Sequence, residues 1–69
     1  METDYNLFIG DNVQVVRWGG MYSPEVGNEG KIVSMINDYP KIKFKNREPL
    51  IEDLNGLCTV DPIVLKKID

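Results

Sequence analysis

Four cations, Lys41, Lys43, Lys45 and Arg47, stand at alternate positions, and Ile42 and Phe44 fill two of the three places between them. Such a row can meet phosphates or an acidic protein, with affinity that falls steeply as salt rises. The other chemistry-bearing residues are scattered. Cys58 is the only cysteine and the chain has no histidine. No disulfide can form, no zinc site can be assembled, and the thiol has no imidazole to activate it. Ser23 and Ser34 lack a histidine base for the same reason. Glu52 and Asp53 are adjacent, and neighbours in an extended segment point to opposite faces, so they would not converge on one substrate and are expected to be solvated or to counter the basic stripe. The glycines of Gly27-Asn28-Glu29-Gly30-Lys31 are too closely spaced for a phosphate-cradling loop and lead into a strand rather than a helix. The chain therefore reads as a non-enzyme, with no catalytic residue, no metal and no cofactor.

A second group of residues suits contact rather than reaction. Trp18, Met21, Tyr22, Pro24 and Glu25 fall in a stretch that also holds Gly19, Gly20 and Gly27. Aromatic residues and methionine are enriched at the centres of protein interfaces. They also stack on single-stranded bases. The alternative for Trp18 is a lid over one end of the core.

These residues need elements to hold them. Val13 to Trp18 is rich in β-branched residues and predicts a first strand after the Gly10-Asp11-Asn12 turn. The loop from Gly19 to Asn28 follows, longer than the usual connection, which points to a binding role. Residues 29 to 36 predict a second strand. Asn37-Asp38-Tyr39-Pro40 predicts a tight turn with Pro40 ending the pairing. Residues 41 to 45 predict a third strand, with Ile42 and Phe44 on one face and the cations on the other. Residues 46 to 55 are irregular, and Asn55-Gly56 marks a positive-φ turn. Leu57 to Val60 is a short fourth strand. Asp61 as cap and Pro62 at the first position predict one helical turn to Val64. Leu65 to Ile68 closes as a fifth strand. The expected core is Val13, Val15, Ile32, Ile42, Phe44, Val60, Ile63, Leu65 and Ile68. Cys58 is expected inside as a small hydrophobe, and Tyr5 and Phe8 are expected to fold back on the barrel.

Five short strands in 69 residues predict an all-β fold, a small barrel with one turn before its last strand. The expected organisation is a flexible segment over residues 1–8 and a single domain over 9–69. A chain of this length buries only about 60% of its unfolded surface and is marginally stable. Net charge is −3, which argues against non-specific coating of nucleic acid. No apolar run approaches the ~20 residues of a membrane helix, so no membrane insertion is expected. The lone cysteine, and a start without a basic segment and long apolar run, point to the reducing cytoplasm.

The order of motifs resembles a known family. Gly10-Asp11-Asn12-Val13-Gln14-Val15, a loop, then Gly27-Asn28-Glu29-Gly30-Lys31-Ile32-Val33 resembles the opening of KOW-type SH3-like barrels. Glu25-Val26-Gly27 and Tyr39-Pro40-Lys41-Ile42-Lys43-Phe44 also resemble stretches of the small accessory barrels of photosynthetic electron-transfer complexes such as photosystem I. The layout is similar to the C-terminal domain of NusG-type elongation factors as well. The resemblance spans residues 10 to 68 and implies a five-stranded SH3-like barrel with a 3₁₀ turn at Asp61 to Val64. It further implies that the loop carrying Trp18 to Val26 borders a ligand groove. KOW-type domains bind RNA or proteins. The function expected is a binding module that docks on a protein partner or larger complex of several chains through the 18–28 loop. The alternative is an RNA- or single-stranded-DNA-binding barrel that uses Lys41, Lys43, Lys45 and Arg47.

Overall fold

Alternation decides which side chains go inside. A computed structural model describes residues 6–68. It contains β1 (Asn12–Val15), β2 (Glu29–Ile36), β3 (Tyr39–Phe44), β4 (Cys58–Thr59), a 3₁₀ turn (Pro62–Val64) and β5 (Leu65–Lys67). Val13 and Val15 on β1, Gly30 and Ile32 on β2, and Pro40, Ile42 and Phe44 on β3 are buried. The residues between them face outward, as the period of two requires. Tyr5 lies outside the described residues, as does most of the expected flexible segment over 1–8.

The fold is all-β, with antiparallel strands in the order β4-β3-β2-β1-β5. The ladder does not close on itself: β4 and β5 are its two edges. Val13, Val15, Ile32, Ile42, Phe44, Cys58, Val60, Val64 and Leu65 nevertheless form one contiguous core that reaches from one edge strand to the other. Gly30 is required by a close approach between β2 and β3. A Cβ there would stand 2.6 Å from the Lys43 carbonyl oxygen and 2.6 Å from Ile42 Cγ2.

Several expectations need correction. β1 ends at Val15 rather than Trp18, because Val16 turns its N–H to the Val64 carbonyl at 2.8 Å. Pro40 does not end pairing. It lies buried within β3 opposite Met35, and its carbonyl accepts from the Val60 N–H. The turn shrinks to Asn37-Asp38, with Asn37 at φ 56°, a conformation Asn tolerates better than most residues. Ile63 and Ile68, expected inside, are exposed, and Val64 takes the inner place. The cause is the cap: Asp61 accepts from the Ile63 N–H at 3.1 Å and sets the phase of a three-residue turn, so that Pro62 and Val64 point inward. Phe8 is exposed rather than folded onto the core.

Candidate docking site

The residues between β1 and β2 form an ordered loop pinned at both ends. At its base, the Val15 N–H donates to the Asn28 carbonyl and the Gly27 N–H donates back to the Val15 carbonyl. On one flank the loop is tied to the 3₁₀ turn. The Val16 N–H reaches Val64, and the Arg17 guanidinium donates to the Ile63 carbonyl. Gly19 packs so closely that a Cβ would stand 2.7 Å from Val64 Cγ1.

On the other flank the tie is Asn28, a buried polar side chain. Its Nδ2 donates to the Asn46 carbonyl at 2.8 Å and to Glu48 Oε2 at 2.7 Å, and its Oδ1 accepts from the Asn46 N–H at 3.3 Å. Glu48 Oε2 also accepts from the Glu25 N–H at 3.0 Å. A buried amide with its partners in place rigidifies what it joins. No sequence pattern points to Asn28 or Glu48, because the partners are 18 and 20 residues apart.

Held in this way, the loop sends apolar side chains outward. Trp18 is 63% exposed, Met21 82% and Tyr22 71%. Trp18 is therefore not a lid over the core. Between the loop and the 3₁₀ turn lies an open pocket of about 240 Å³, with Tyr22, Ser23 and Pro24 on one wall and Val60, Asp61 and Ile63 on the other. Pro24 is buried and forms part of the wall, while Glu25 is exposed and does not line it. Sequence reasoning misses the far wall, because it places Ile63 in the core. The Asp61-Pro62 cap is the available signal, since it fixes which residue of the turn faces out.

None of the four cations of the stripe lines this pocket. Lys41 pairs with Asp53 at 2.8 Å, Lys45 with Glu29 at 3.2 Å, and Arg47 with Glu52 at 2.8 Å. The hydrogen bond from Lys41, then those from the Leu57 and Asn55 N–H groups, bring the Asp53 carboxyl down to about 2. The hydrogen bond from Arg47 likewise lowers Glu52. Lys43 makes no ion pair among the described residues.

Burial pushes the Cys58 thiol up to about 11, so it stays protonated at neutral pH. Among the described residues no group of three or more cysteine, aspartate or glutamate side chains is placed to hold a metal ion, and no helix is long and apolar enough to cross a membrane.

Comparison of the chain with protein-family models, with curated proteins and with solved structures returned no match.

Proposed function

We propose that this protein is a non-catalytic binding module that docks on a protein partner or larger complex through the 18–28 loop and the adjoining 3₁₀ turn. The observation that carries the reading is the pocket between them, lined by exposed Tyr22 from a pinned loop and exposed Ile63 from the turn, with Trp18 and Met21 exposed on the same loop outside the lining. Scattered exposed apolar residues are ordinary on a protein surface. Tyr22 and Ile63 face each other across one pocket, and the backbone of the loop is already ordered, which lowers the entropy lost on binding. At about 240 Å³ the pocket falls below the common range of small-ligand sites, roughly 300–1,000 Å³. It suits one or two inserted side chains of a partner.

The strand order, with a 3₁₀ turn before the last strand, is that of SH3-like barrels and supports assigning the chain to that architecture. The nucleic-acid alternative has less support, because three of its four cations are engaged by carboxylates and none of the four lines the pocket that Tyr22 borders. The unpaired thiol suits a reducing compartment, and the cytoplasm is the setting in which we place the docking.

Affinity capture from the source cell tests this, with the wild type run beside Tyr22→Ala, Ile63→Ala and Lys45→Ala. The expected result is a discrete partner that is retained by Lys45→Ala and lost from the other two variants, since one well-packed contact at the centre of an interface contributes about 2 kcal/mol. A partner held equally by all four forms would overturn the reading, as would no partner at all.

A further inference from the structure

The outer face of the sheet carries a like-charge pair that the docking site does not explain. Lys31 on β2 stands directly opposite Lys43 on β3, and both are exposed. The Lys45 N–H donates to the Glu29 carbonyl at 2.8 Å, so that rung and the one at Lys31 and Lys43 are both hydrogen-bonded. The two Cα atoms are then about 5.5 Å apart, with their side chains on one face. Like charges placed this way repel.

Among the described residues, no neighbouring carboxylate forms an ion pair with either lysine. Glu29 is taken by Lys45 and Asp53 by Lys41. Glu52 lies near enough for Lys43 to help lower its carboxyl, but both its oxygens accept from Arg47 and one also from the Glu48 N–H. On its other side Lys31 faces neutral Asn12. Protection of a sheet edge is the usual use of strand lysines. It can account for Lys43, where β3 runs past β4, which pairs only with Lys41 and Ile42, but not for Lys31, whose strand is flanked by β1 and β3.

We propose that Lys31 and Lys43 form a seat for an acidic segment of a protein partner, whose carboxylate enters between the two ammonium groups. A protein that is acidic overall keeps two unneutralised cations side by side here, and an anion placed between them converts repulsion into attraction. An acidic polypeptide is favoured over single-stranded nucleic acid because Tyr22 lines a pocket that neither lysine lines, and Tyr39, the exposed aromatic of β3, stands at the far end of the strand, about 13 Å along it from Lys43. Bases bound at the seat would lack those stacking platforms. The inference is independent of the pocket and stands or falls without it.

The test is calorimetric titration of the full chain with a peptide of alternating Glu and Ser, and with an oligothymidylate of equal length, at about 20 mM salt where surface charge is weakly screened. The wild type should bind the peptide. Lys31→Glu and Lys43→Glu should each weaken binding at least about tenfold while raising the melting temperature by about 4 °C, because each turns the repulsive rung into an attractive one. Lys66→Glu, on β5, should leave affinity within about twofold, as a rim charge does. Absence of wild-type binding would overturn the proposal, as would unchanged affinity in both rung variants or a fall in their melting temperature. Tighter binding of the oligothymidylate, lost in the same variants, would overturn it in favour of nucleic acid.

Discussion

Asn28 shows how one side chain can shape a surface it does not touch. Its amide joins the base of the 18–28 loop to the Asn46 backbone and the Glu48 carboxylate. Asn28→Ala removes these part-buried bonds, so unfolding in denaturant should show a loss of about 1–2 kcal/mol. Asp53 acts through charge. Its folded value, about 2, lies below the ordinary 3.8. Its contribution is therefore complete above pH 3.8 and is lost as pH falls through about 2. Asp53→Asn should flatten the stability profile over that acid window, as followed by circular dichroism. An unchanged profile would mean that the Lys41 pair contributes nothing. Cys58 has the opposite dependence: the folded chain holds its proton more tightly, so stability should fall as pH climbs from 9 towards 11. In the native protein at pH 8 the thiol should react with a disulfide reagent far more slowly than in denaturant.

Among the elements, the β2–β3 pair is the most demanding. Gly30→Ala would place a methyl group against the Lys43 backbone as well as the Ile42 side chain. Backbone cannot yield as a side-chain tip can, so a loss of about 1–3 kcal/mol is expected from equilibrium unfolding. The strands themselves are legible in the sequence. Val13 and Val15, or Ile42 and Phe44, alternate with polar residues, and the pleat leaves one way to bury them. The 3₁₀ turn is legible from Asp61-Pro62. Its phase is not, and Ile63 is expected inside where Val64 belongs. That Glu52 and Asp53 can counter the basic stripe is legible, but which cation each meets, Asp53 with Lys41 and Glu52 with Arg47, is not. These pairings depend on the path of residues 46–57, which turns on local hydrogen bonds such as that from the Leu57 N–H to Asp53 Oδ1, not on any periodicity. Of the candidate site, the loop wall is visible in its composition. The wall across from it is hidden, because it depends on how the end of the chain packs against the start.

For the molecule as a whole, small size sets the terms. A core of nine buried hydrophobic residues among those described, with no disulfide available to it, leaves little stability in reserve. Large side chains such as Trp18 and Tyr22 stay outside that core, where they add little to folding and remain available for contact. Tyr22 and Ile63 line the pocket, while the cations of β3 lie on the sheet's outer face. Docking through the pocket is the central claim. Photo-crosslinking in the source cell tests it most directly, with p-benzoyl-phenylalanine placed at Tyr22 and, as a control, at Tyr39, an exposed tyrosine on the β2–β3 hairpin. A discrete protein adduct from position 22 and none from position 39 is the predicted result. No adduct at position 22, or the same adducts from both positions, would contradict it.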